Sequence, residues 1–261
     1  MSLAERAVYP TQPEPLRQTL DALLADADAP SLDGGYLVAL IVPDSNRTAG
    51  GPAAAAAYSA LATVDVQTAV VVSPSHHGSF GRLSICQTDT YHTPLGDVPV
   101  NDALRNELCD EDDDIFVDDT GHYHTEGADV QLPFLQRVLG DGFDVVPIVM
   151  GEESPAFCRE LGSAVGEVLY GKRAVVIGSA DLVAADSDAA LGKLRDAIES
   201  YHTSELMNLM GSEQVKIEGM GAVITTVLAA QARGANRARV LALEAPEGDA
   251  PGRLACVFWR A

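Results

Sequence analysis

Two adjacent histidines, His76 and His77, close the dense β-branched run AVVVSPSHHG over residues 69–78, in a chain that holds only six histidines. A valine run of this kind is a strand buried on both faces, and the tight polar loop behind it belongs to the carboxyl edge of a sheet. Ligands of open α/β sheets bind at that edge, so imidazoles delivered there serve as metal ligands or as acid and base. Other apolar runs stop at polar residues in the same way: one over 36–43 ends at Asp44, and one over 174–177 ends at Gly178-Ser179-Ala180-Asp181. Glu218 precedes Gly219 and Gly221 at the start of a small-residue helix. Carboxylates and an imidazole converging from separate loops are the usual construction of a divalent-metal site with open positions.

The elements that position these residues alternate. Leu16, Leu20, Leu23 and Leu24 recur at helical spacing behind a proline-rich arm. Pro52 and the alanine run after it predict a helix between the strands at 36–43 and 69–73, so a βαβ unit carries Asp44 and His77 to one edge. Helices are expected over 102–109, from about 128, from Ser154-Pro155 to 169, continuously over 188–210, and over 222–233. Strands are expected over 83–87 and 143–149, the stretch TYHTPLGDVPV reads as a turn excursion, and the acids of 111–114 read as a solvated loop. Two closing strands, 239–243 and 253–258, pair antiparallel. The alternation is an α/β signature.

Composition narrows the function. Thirty-eight acidic against 17 basic residues leave a net charge of −21, a field that repels nucleic acid and anionic lipid and favours cations. Such a surface suits a high-salt cytoplasm, where salt screens its self-repulsion. No apolar stretch has the length of a membrane span and the start lacks a signal-peptide layout, so a cytoplasmic protein with a small-molecule ligand is expected, without nucleic-acid or membrane partners. Whether it forms a homo-oligomer stays open. Cys86, Cys109, Cys158 and Cys256 are far apart and read as reduced, mostly buried residues.

The succession SPSHHG, YHTPLGDVPV, QLPFL, VPIVMG and GSADL resembles the Memo family, whose fold is that of the class III extradiol ring-cleaving dioxygenases. The likeness runs from about Tyr36 to Ala230. It implies one domain over residues 1–261, with an N-terminal arm and helix over 1–34. Its fold would be a three-layer αβα arrangement around a central, mostly parallel mixed sheet, with a non-haem metal pocket at the strand ends. Extradiol enzymes open rings with oxygen there, and Memo proteins have a redox role.

Residue by residue, the resemblance places a metal ligand on His77, the second histidine of PSHH. The family's other ligand histidine falls on Asp44, and its third ligand, Cys in Memo proteins and Glu in the extradiol enzymes, falls on Glu218. Glu126 and Asp129 stand at the histidine and second glutamate of its E-H-S-I-E segment. Its S-x-D-F-x-H motif keeps Asp181, but Ala184 replaces the histidine that acts as general acid and base in the extradiol enzymes. That role would pass to His76, His92 or His124, and the expected catalytic set is His76, His124 and Asp181. Asp, His and Glu form a harder donor set than His, His and Cys, which favours iron(II) first, then zinc, manganese or magnesium, over copper. The expectation is a Memo-like protein with a divalent-metal pocket and oxidoreductase chemistry. Two alternatives stand: a metal-dependent dioxygenase or hydrolase using a relocated histidine, and an interaction protein without metal or chemistry.

Overall fold

Strands β1 (Tyr36–Val42), β2 (Thr68–Pro74), β7 (Asp144–Met150) and β8 (Ala174–Ser179) form the parallel centre of an eight-stranded sheet. The computed structural model describes residues 8–45, 48–111, 114–122, 127–247 and 252–261. The sheet is completed by β3 (Leu83–Ile85), β6 (Ile115–Val117), β11 (Arg237–Glu244) and β12 (Arg253–Arg260), in the order β11-β12-β1-β8-β2-β7-β3-β6. β12 runs antiparallel to β1 and β11, and β3 antiparallel to β7, which makes the sheet mixed.

Alternate residues of the central strands fill opposite cores, as the two-residue period requires. Val38, Val70, Val72 and Val176 face one side, with α3 (Asp102–Glu111), α5 (Pro155–Val168), α6 (Asp188–Glu199), α7 (Thr203–Met210) and α8 (Met220–Ala232). Leu37, Leu40, Val71 and Ile177 face the other, with α1 (Pro13–Ala25), α2 (Gly51–Ser59) and α4 (Ala128–Leu139). Two helical layers thus enclose the sheet. Helix α8 is apolar all round and correspondingly buried.

Several expectations change. β1 and β2 are parallel, but they are not neighbours, because β8 lies between them. Strand ends at Asp44, Ser75 and Ala180 are therefore adjacent although they lie far apart in the chain. The helix expected over 188–210 breaks into α6 and α7 at Tyr201, whose φ of 55° cannot continue a right-handed helix. The excursion after β3 holds a two-stranded ribbon, β4 (Thr90–Thr93) and β5 (Gly96–Pro99). A second ribbon pairs β9 (Asp181–Ala185) with β10 (Val215–Glu218), elements too short to announce themselves by periodicity.

The outer edge of β11 is closed by the junction of α6 and α7. Glu199 Oε1 accepts the Val240 N–H at 2.8 Å, and the Tyr201 hydroxyl donates to the Arg237 carbonyl at 2.8 Å. Edge groups satisfied in this way cannot template another strand. No helix among the described residues is long and apolar enough to cross a membrane.

Candidate functional site

Three parallel strand ends and one ribbon build the site. Ser75, just past β2, donates its hydroxyl to the Gly78 carbonyl at 2.7 Å and closes a turn whose tip carries both histidines. Adjacent side chains on the turn leave in different directions. His76 points inward, its side chain 14% exposed, whereas His77 is exposed. The imidazole between the carboxylates is therefore that of His76, the histidine expected as acid and base, and not that of His77, the histidine expected as a metal ligand.

Asp44, past β1, is 1% exposed. Its Oδ2 lies 2.6 Å from His76 Nε2, and its Oδ1 accepts the Gly127 N–H at 3.0 Å and the Ser179 hydroxyl. Asp181 accepts the Asp44 backbone N–H on Oδ1 at 3.0 Å. This contact fixes the loop after β1 and makes Asp181 a support of Asp44. The β9–β10 ladder sets Glu218 opposite Asp181 and brings Glu218 Oε1 within 3.3 Å of His76 Nδ1. Gly219 follows at φ 84°, where a Cβ would stand 2.5 Å from the Ser179 carbonyl oxygen, so only glycine lets the chain turn from β10 into α8 here.

Glu153 joins these groups without having been singled out in the sequence. It lies just beyond β7, in the VPIVMGEESP segment, and the strand-end rule that found Asp44 would have found it. Its Oε2 accepts the Gly221 N–H at 2.6 Å, and its carboxylate also takes a backbone hydrogen bond from Gly219, so it caps the start of α8. Burial pushes its pKa up, the two amides pull it down, and the charges of Glu218 and Asp44 raise it further. A raised folded-state pKa means that the wild type loses stability as pH climbs from the ordinary glutamate value through the raised one. Glu153→Gln keeps an acceptor for Gly221 and removes the charge. It is expected to be the more stable protein at neutral pH, with the difference vanishing at about pH 4 and below, as read by thermal melts across that range.

The remaining expected residues are placed as follows. His124 and Glu126 lie outside the described residues. His92 stands exposed on the β4–β5 ribbon, with Nδ1 2.7 Å from Asp97 Oδ1. Asp129 accepts a hydrogen bond from Tyr91. Ala184 pairs with Lys216 in the β9–β10 ladder. His122 Nε2 sits 3.1 Å from the Ser84 carbonyl, and burial lowers its pKa against the opposing pull of that hydrogen bond and of Asp119 and Asp118.

Among the described residues, no group of three or more His, Cys, Asp and Glu side chains is arranged to hold a metal ion. The reason is visible in the ring: Asp44 and Glu218 face opposite nitrogens of His76, so all three cannot meet at one point. The pair that could hold a cation is Asp44 Oδ2 with His76 Nε2, and Glu218 faces the other ring nitrogen. A carboxylate behind a ligating histidine is the common way to fix its ring and tautomer. Burial and the nearby Glu153 push the Cys158 thiol up to about 12.

Sequence profiles of the family described as Memo-like protein match residues 4–249. A MEMO1 family protein of Methanopyrus kandleri is 30% identical over 94% of this chain and 90% of its own length. One from Ignicoccus hospitalis is 31% identical over 82% of this chain and 78% of its own. An uncharacterized Escherichia coli K12 protein of known structure covers 85% of this chain and 99% of its own at 14% identity, with a TM-score of 0.56, a likeness of fold alone. With most of its length matched by the family and by full-length relatives, the chain belongs to the Memo-like protein family.

Proposed function

We propose that this Memo-like protein binds a divalent cation at the sheet edge through Asp44 and His76, and with it a small oxygen-bearing ligand. The observation that carries the reading is the 2.6 Å approach of Asp44 Oδ2 to His76 Nε2 at the strand ends, backed by Glu218 on Nδ1. Charge supports it: Asp44 and Glu218 flank a single imidazole, Asp181 is bonded to the Asp44 backbone and Glu153 feels the charge of both flanking carboxylates, an arrangement that a cation relieves. The hard carboxylate and imidazole donors favour iron(II), manganese, magnesium or zinc over copper. Two protein donors leave positions for water and ligand, as hard divalent ions commonly do. A cation there supplies Lewis acidity to a bound ligand's oxygen. Asp44 and Glu218 hold the imidazole, and Glu153 ties the start of α8 to the β7 end.

The test is calorimetric titration of manganese(II) and of iron(II) under anaerobic conditions into protein purified without immobilised nickel. Saturable binding at one site, weakened at least about tenfold by His76→Ala, is the expected result. Binding that His76→Ala leaves intact would overturn the placement. Oxygen uptake with catechols by the iron-loaded protein extends the reading to ring cleavage.

A second reading rests on the same ring. Buried Asp44 orients His76 through Nε2, and Nδ1 faces only the half-exposed Glu218, from which a ligand could take over that nitrogen for metal-free acid–base work. Absence of cation binding by the wild type would favour it.

A further inference from the structure

Gln131 belongs to QLPFL, a motif to which no role has yet been attached. Its side chain is fully buried and every polar group on it is used. Nε2 donates to the Pro43 carbonyl at 2.9 Å and to Ser179 Oγ at 2.7 Å, while Oε1 accepts the Tyr58 hydroxyl at 2.8 Å. The amide has one workable orientation, because turning it over would set its oxygen against the Pro43 carbonyl oxygen. Ser179, receiving from Gln131, has a single proton to give, and it gives it to Asp44 Oδ1. The line from Tyr58 through Gln131 and Ser179 thus points toward one oxygen of Asp44. The Gly127 amide donates to the same oxygen at 3.0 Å.

We propose that Gln131 is the positioning residue of the sheet-edge site, acting through Ser179 to engage Asp44 Oδ1 so that Oδ2 is presented to His76. A carboxylate held on one oxygen only by Gly127 could rotate about its last bond, whereas two donors on Oδ1 and the clamped loop fix which oxygen faces the ring. Aligned hydrogen bonds in a dry interior reinforce one another, so the effect of Gln131 reaches His76 although they share no contact. The far end of the chain is anchored mechanically: Tyr58 stacks on Phe134 with centroids 5.0 Å apart and planes 9° apart, and both rings are fully buried. An amide does not pass protons along such a line, so its work is orientation.

Two variants test this, each read by the ring ¹⁵N resonances of His76 and by manganese(II) affinity. Gln131→Met keeps the bulk and removes both donors. It is expected to move the His76 ring resonances toward those of a histidine free in water and to weaken manganese(II) about tenfold or more. Tyr58→Phe removes only the anchor on Oε1 and is expected to move the same resonances in the same direction by less. A folded Gln131→Met with wild-type ring resonances and affinity overturns the proposal. So does a lowered melting temperature with unmoved ring resonances, which would make Gln131 packing alone. Should Gln131→Met fail to fold, Tyr58→Phe decides, and unmoved resonances there overturn it. The affinity measurement rests on the cation reading of the site, but the ring measurement does not. A wild type that ignores manganese(II) sinks that reading and leaves the ring resonances to judge Gln131.

Discussion

Gly127→Ala is expected to lose about 4 kcal/mol of stability and the site together. Gly127 has φ 62° and ψ −121°, a combination that residues with a Cβ avoid, so alanine there costs about 2 kcal/mol in backbone strain. The added Cβ would stand 2.6 Å from Ser73 Oγ and 2.9 Å from Ser73 Cβ, on a fully formed central strand that cannot retreat. Overpacking of that kind costs about 2 kcal/mol more. The same glycine donates its N–H to Asp44 Oδ1. Any shift that relieves the clash pulls a donor away from the carboxylate. Guanidinium denaturation checks the stability, and manganese(II) titration at a temperature where the variant is folded checks the site. An alanine variant within about 1 kcal/mol of the wild type would show that the helix start tolerates a side chain and that the argument from φ is wrong.

Arg233→Met is expected to cost about 3 kcal/mol at the opposite end of the sheet. Arg233 follows α8 and is 6% exposed. It donates to the Val38 carbonyl at 3.0 Å, the Lys172 carbonyl at 3.3 Å and the Ala174 carbonyl at 2.7 Å. These carbonyls belong to β1, to β8 and to the turn leading into β8, so one guanidinium ties two strands to the helix that covers them. The burial is costly enough to pull its pKa down to about 10, with the nearby Arg260 contributing. Methionine fills the space and leaves three carbonyls without their donor. Lysine is expected to restore little, because one ammonium does not reproduce the planar fork. Urea denaturation of the methionine and lysine variants measures both effects, and full recovery by lysine would count against the geometric part.

Much of the architecture follows from local pattern. The apolar strands, the proline-led helices and the acids at strand ends are each written in a few consecutive residues, which is why Asp44, Glu218 and the histidine pair could be named at the outset. Which histidine turns inward is not local. It depends on the Ser75 turn and on Asp44, which meets it from another strand. Glu153 was within reach of the strand-end rule but was missed, because the amide that it caps lies 68 residues downstream, where α8 begins. Gln131 and Ser179 were visible as motif letters, but their purpose exists only across separations of 48 and 135 residues. The break at Tyr201 escaped because a helical period continues across it, and a single positive φ leaves no trace in hydrophobic spacing.

The position of β8 between β1 and β2 also has a kinetic meaning. A chain emerging from its N-terminus makes β1, α2 and β2 early, yet these strands cannot simply zip together, because their mutual neighbour begins 100 residues downstream of the end of β2. Asp44 gains its bonds to Ser179 and Asp181 only when β8 slots into that gap, over separations of 135 and 137 residues. Closure of such long loops is paid for before it is rewarded, so the carboxylate is organised late in folding. A partly folded chain therefore has no assembled site, and whatever binds there acts as a lock on the finished molecule.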